Sequence, residues 1–174
     1  ADTPVFAYYQ ALDKLYPGSK FIYLDRELSL WLPSIKQLLQ RMDTNLTRLD
    51  GGFNPIIRSS FLKVFAPYSL ENIGSEQFLS SCYSKHKQQA IEYFEERSAD
   101  FLIINVSDKN SHQQLLSFLN INNTEKQSND FVPINIKGKV TAWNQIKHQN
   151  KVNSTRKGRI DGDLLPLIQQ YNQS

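Results

Sequence analysis

Two clusters in this chain are made of residue types that bind anions. The first is Arg26 with Ser34, eight positions apart, within the stretch KFIYLDRELSLWLPSIKQLL that runs from Lys20 to Leu39. An arginine can clasp a phosphate through two parallel N–H groups, and a hydroxyl near a helix start can donate a further hydrogen bond. The plainer alternative pairs Arg26 with Asp25 or Glu27 at the surface, and taken alone these residues favour it. The second cluster is Arg156-Lys157-Gly158-Arg159, followed by Gly162-Asp163. Consecutive cations beside a glycine let backbone N–H groups approach an anion closely. A solvated basic loop or a nucleic-acid patch accounts for the same residues equally well.

The elements around the first cluster decide where it would sit. Phe21-Ile22-Tyr23-Leu24 is a short apolar run of the kind that makes a buried strand. The chain turns at Asp25-Arg26-Glu27 and enters an amphipathic helix. Its apolar positions Leu28, Trp31, Leu32, Ile35, Leu38, Leu39 and Met42 recur at three- and four-residue steps. The carboxyl end of such a strand is where open α/β sheets place ligands. Pro33 is tolerable in the helix if it falls close to the first turn.

Upstream, Asp2-Thr3-Pro4 reads as a helix start, with a capping residue ahead of a first-turn proline. Val5 to Tyr16 then forms a helix with Tyr8, Leu12 and Leu15 inward, stopped by Pro17-Gly18. Downstream, Thr44 to Asn54 reads as a loop and Ile56 to Phe65 as a helix ended by Pro67. Ser75 to Arg97 is a long helical stretch with a potential break at Ser80-Ser81. Phe101 to Val106 is a second buried strand, and Ser107 to Leu119 repeats the strand-to-helix step. Asn120 to Asp130 is a polar loop, Thr141 to Gln149 a candidate helix in an otherwise ambiguous tract, and Asp161 to Tyr171 a closing helix. Two strand-helix units joined by helical crossovers argue for an α/β fold, a parallel sheet flanked by helices, in one domain over residues 1–174.

Composition describes an ordinary globular chain, with 40% hydrophobic and 11% aromatic residues, so disorder is excluded as a general description. The net charge of +3 is uninformative, but its distribution is not. From Phe131 to Ile160 there are Lys137, Lys139, Lys147, Lys151, Arg156, Lys157 and Arg159 and no acidic residue, a local excess that attracts an anion. The lone Cys82 rules out an internal disulfide, no Cys/His spacing suggests zinc, and no apolar run is long enough to cross a bilayer. With no signal peptide visible, these features lean toward a cytoplasmic setting. His86, His112 and His148 have no acid or nucleophile at a telling spacing and read as surface or helix-face residues. The start at Ala1, without a methionine, reads as processing or truncation.

Taken together, the two clusters make the chain resemble sulfotransferases that use 3′-phosphoadenosine 5′-phosphosulfate (PAPS). In that family a strand ends in an arginine that a serine follows eight positions later, as Arg26 and Ser34 do here within YPGSKFIYLDRELSLWLPS. Cytosolic members carry a late loop of the form RKG-x-x-GD, and this chain has RKGRIDGD, with one extra residue between the glycines. Tyr83-Ser84-Lys85-His86, leading through Glu92-Tyr93-Phe94 to FLIINVSD and a short helix, is similar in order and spacing. The resemblance covers nearly the whole chain.

What the resemblance implies is a P-loop NTPase-like sulfotransferase architecture and transfer of a sulfuryl group from PAPS to an acceptor hydroxyl or amine, releasing 3′,5′-ADP. Arg26 and Ser34 would hold the 3′-phosphate, and Arg156, Lys157 and Gly158 would close over it from the other side. Tyr83 would pack against the adenine, or else is a core aromatic on its helix. Asp2 lies two residues before Pro4, the step at which soluble members place a catalytic histidine, so it is a candidate general base; a helix cap explains it first. The implied partners are the nucleotide and a small-molecule or glycan acceptor, with no metal and no nucleic acid. The seven glycines include no G-x-x-x-x-G-K-[ST] pattern, the loop that would hold the phosphosulfate. The expectation is therefore a sulfotransferase fold lacking its first strand-loop-helix. A non-catalytic nucleotide- or polyanion-binding module of the same fold and a P-loop kinase relative are the rivals.

Overall fold

The computed structural model describes residues 3–48, 53–121, 131, 135–136 and 139–140. Asp2, the 49–52 part of the expected loop, most of the 120–130 loop, the candidate helix at 141–149, the basic loop with Arg156, Lys157 and Gly158, and the closing helix lie outside the described residues.

The first element is helix α1 (Val5–Leu15), entered from Pro4 without a side-chain cap bond. Tyr8 is buried as its spacing suggests, but the other fully buried position on the helix after Ala7 is Asp13, not an apolar residue. The Asp13 carboxylate accepts Arg97 Nη1 at 3.1 Å, Arg97 Nη2 at 2.6 Å and the Tyr93 hydroxyl at 2.8 Å. A carboxylate so thoroughly partnered can be buried without a large desolvation penalty. The Arg97 hydrogen bonds lead in holding its carboxyl below the usual range, against the opposing effect of burial.

Strand β1 (Phe21–Leu24) pairs in parallel with strand β2 (Phe101–Ile104), in the register Phe21↔Phe101 through Leu24↔Ile104. The Asp25 N–H continues the ladder by donating to the Ile104 carbonyl at 2.8 Å. Phe21, Tyr23 and Phe101 face an aromatic layer in which Phe94 stacks on Phe101 at 4.7 Å and lies 5.0 Å from Phe21. The opposite side of β1 departs from the expectation of a strand buried on both faces. Ile22 is 39% and Leu24 58% exposed, because period-two alternation sends them away from the aromatic layer.

Helix α2 (Leu28–Thr47) carries Pro33 as its sixth residue and continues to Thr47, so the loop expected from Thr44 begins later. Leu39 and Leu46 are fully buried, whereas Leu38 is 43% exposed. The 28, 31/32, 35, 39, 42, 46 stripe selects Leu39, and Leu38 sits about 100° round the helix from it.

Helix α3 (Pro55–Val64) starts on Asn54, whose side chain accepts the Ile57 N–H at 2.8 Å, with proline at the first helical position. Short helix α4 (Leu70–Gly74) is capped by Ser69, and α5 (Glu76–Tyr93) by Ser75, which accepts the Phe78 N–H at 3.2 Å. Leu39, Leu46, Phe61, Phe65, Ile73 and Leu79 from α2 to α5 form the main core. α5 runs unbroken through Ser80-Ser81 and ends at Phe94, where a 3-10 helix (Glu95–Asp100) takes over. The change falls there because Phe94 is anchored in the aromatic layer and Arg97 reaches back to Asp13. Helix α6 (Ser111–Phe118) follows β2 and packs against it. Strands β3 (Asn135–Ile136) and β4 (Lys139–Val140) form a small antiparallel pair in the tract the sequence left ambiguous. The described architecture is a parallel two-strand sheet flanked by helices.

Candidate functional site

The carboxyl end of β1 opens onto a cleft of about 480 Å³ between the turn into α2 and the middle of α5. Asp25, Arg26, Glu27 and Leu28 form one wall, Tyr83, Ser84, Lys87, Gln88 and Ile91 the other, and Asn105 sits at its β2 side. Tyr83 and Lys87 are one helical turn apart on α5, so their side chains leave the same face.

Asp25 is the hub. Its Oδ2 pairs with the Lys87 ammonium at 2.6 Å, and its Oδ1 accepts the Tyr83 hydroxyl at 2.5 Å. That hydroxyl accepts the Arg26 N–H at 2.9 Å and lies 3.0 Å from the Arg26 carbonyl oxygen. Partial burial opposes ionisation of Asp25, but the hydrogen bonds from Lys87 and Tyr83, the Lys87 charge and the Arg26 N–H outweigh it and hold the carboxyl below its usual range. Burial first, and then donation to Asp25, push the Tyr83 phenol up to about 12. At neutral pH the pair is therefore a carboxylate and an un-ionised donor. The Tyr83 ring lies 4.7 Å from Trp31 of α2, which adds an apolar tie across the same junction.

The surface pairing of Arg26 with Asp25 is not what forms. Asp25 is committed to α5, and among the described residues the exposed Arg26 guanidinium has no ion pair or hydrogen bond. The structure thus brings Arg26 and Tyr83 together at the cleft. Ser34 lies on an exposed position of α2, six residues beyond Leu28 and so about 9 Å along the helix axis, and does not line the cleft.

Asp25 and Lys87 were missed by sequence reasoning. The i, i+4 relation of Tyr83 and Lys87 was legible, but their partner is about sixty residues away. His86, one turn from Tyr83, is not a surface residue: its Nε2 lies 2.6 Å from the Phe6 carbonyl and its ring packs 5.7 Å from Tyr23. Burial pushes its pKa down, partly offset by that hydrogen bond. Among the described residues no group of three or more His, Cys, Asp and Glu side chains could hold a metal ion, and no helix is long and apolar enough to cross a membrane.

A short parallel sheet flanked by helices, with a cleft beyond the carboxyl end of β1, defines a mixed α/β protein whose cleft lies where open α/β sheets place ligands. Residues 1–137 match the family model described as "Sulfotransferase domain", and the chain belongs to that family. No curated protein and no solved structure matches the chain.

Proposed function

We propose that this sulfotransferase uses PAPS as donor and passes its sulfuryl group to a hydroxyl or amine of a small-molecule or glycan acceptor, releasing 3′,5′-ADP. The observation that carries this reading is the exposed Arg26 guanidinium at the carboxyl end of β1, without an ion pair among the described residues and beside a carboxylate already consumed by Lys87 and Tyr83. An arginine so placed offers two N–H groups to a phosphate with no internal salt bridge to break first. Arg26, at the cleft, would hold the 3′-phosphate end of the donor, and the family resemblance assigns the same phosphate to Ser34, further along α2, and to Arg156, Lys157 and Gly158 of the late basic loop. Tyr83 contributes beside that phosphate, as an adenine contact or through Arg26.

When bound, PAPS supplies the activated sulfuryl group. Transfer to the acceptor oxygen or nitrogen would break the bond between sulfur and the bridging oxygen, and the electron pair of that bond would leave with 3′,5′-ADP. Asp2 would receive the acceptor proton, a role implied by the family resemblance, in which a catalytic histidine stands at the same step before a proline. The cations of the late loop would neutralise charge on the departing nucleotide.

Calorimetry with 3′,5′-ADP tests the reading. Loss of a charge-assisted phosphate contact costs about 1.5–3 kcal/mol, so Arg26→Ala and Arg156→Ala should each weaken binding by roughly 10- to 150-fold. Unchanged affinity in both variants overturns it. Binding without transfer of labelled sulfate to any hydroxyl or amine acceptor would favour the non-catalytic module of the same fold.

A further inference from the structure

We propose that Lys87 and Tyr83 are positioning residues that keep Asp25 off Arg26 and so leave the guanidinium free for an anion. The inference rests on the reading of Arg26 as the phosphate ligand. Three observations support it.

Asp25 is adjacent to Arg26 in the chain and is its nearest potential counter-ion in sequence, together with Glu27. A free carboxylate there would compete with a phosphate for Arg26 and repel it as a like charge. In the structure both Asp25 oxygens are occupied, Oδ2 by the Lys87 ammonium at 2.6 Å and Oδ1 by the Tyr83 hydroxyl at 2.5 Å. The same hydroxyl fixes the Arg26 main chain by accepting its N–H at 2.9 Å. One pair of side chains on one turn of α5 thereby neutralises the competitor and orients the ligand-bearing turn.

Lys87 lines the cleft as well, so a second explanation has to be separated from the first. A lysine that touched the phosphate itself would lose affinity on removal whatever stood at position 25. A lysine that acts through Asp25 becomes dispensable once Asp25 is neutral. The discriminating experiment is a double-mutant cycle on the full chain, with 3′,5′-ADP as the titrant in calorimetry. Lys87→Met, and Lys87→Gln as a second variant should the first fold poorly, should weaken binding by about tenfold, the effect of exposing one unit charge beside the site. Asp25→Asn in the Lys87→Met background should restore most of that loss, and Asp25→Asn alone closes the cycle.

A loss that persists in the double variant makes Lys87 a direct ligand and overturns the inference. Unchanged affinity in both Lys87 variants also overturns it. If Arg26→Ala binds 3′,5′-ADP as tightly as wild type, the reading of Arg26 itself fails and the inference with it. If Arg26→Ala loses binding while Lys87→Met does not, only the positioning role fails.

Discussion

Replacing Tyr83 by phenylalanine removes one oxygen from the junction between β1 and α5 and leaves the ring in place against Trp31, 4.7 Å away. The lost oxygen donates to the Asp25 carboxylate and accepts the Arg26 N–H. A hydrogen bond to an ionised group contributes about 1.5–3 kcal/mol net, but the Asp25 side chain is 28% exposed and water replaces part of what is lost. The expected cost is therefore about 1–2 kcal/mol, equivalent to a fall in Tm of about 2–8 °C for a domain of this size. The pH dependence adds a sharper requirement. The Asp25 carboxyl is held below its unfolded pKa, so its contribution to stability is present above about pH 4 and disappears as pH falls through the folded value. The penalty of Tyr83→Phe should be largest at pH 7 and shrink toward the lowest pH at which the wild-type protein stays folded. Urea denaturation of both proteins at each pH measures this. A penalty that is absent at pH 7, or the same size at both ends of the range, would refute the account of Tyr83 as a donor to an ionised Asp25.

Two further outcomes follow from the core and from His86. Leu39 is fully buried in the main cluster, so Leu39→Ala should destabilise by about 2–5 kcal/mol in urea denaturation, and a cost under about 1 kcal/mol would mean the helices repack freely around it. His86 has its folded pKa lowered by burial, so the unfolded chain takes up the proton first and stability should decline as pH falls below about 6.5, until the folded value is passed. An NMR titration of the His86 ring with a midpoint at or above about 6.5 would contradict this.

Much of the fold was legible because it is written in local pattern. The FIYL and FLII runs, bounded by turn residues, gave both parallel strands to within two residues, and the stripe through Leu28, Trp31, Ile35 and Leu39 gave α2. Leu38 was misassigned because two adjacent leucines differ by one helical step, and only the neighbour across the interface selects between them. The short α4 was missed because five residues give no periodicity to read. Asp13 was missed for a different reason: a buried carboxylate is intelligible only once Arg97 and Tyr93 are beside it, and these lie 84 and 80 positions on.

The candidate site divides in the same way. The chain alone determined that an arginine stands at the end of a strand with a serine eight residues later, since strand and turn propensities are local. It also determined the family resemblance that the sulfotransferase family model bears out over residues 1–137. What it could not determine was which cation would pair with Asp25, because Arg26 is adjacent in sequence while Lys87 is distant. That choice was made by tertiary structure. Packing α5 across the end of β1 brings the Lys87 ammonium and the Tyr83 hydroxyl within hydrogen-bonding distance of the carboxylate. Ion pairing follows distance and orientation in the folded state and takes no account of separation along the chain. The tie to α5 satisfies Asp25 and leaves the Arg26 guanidinium at the cleft.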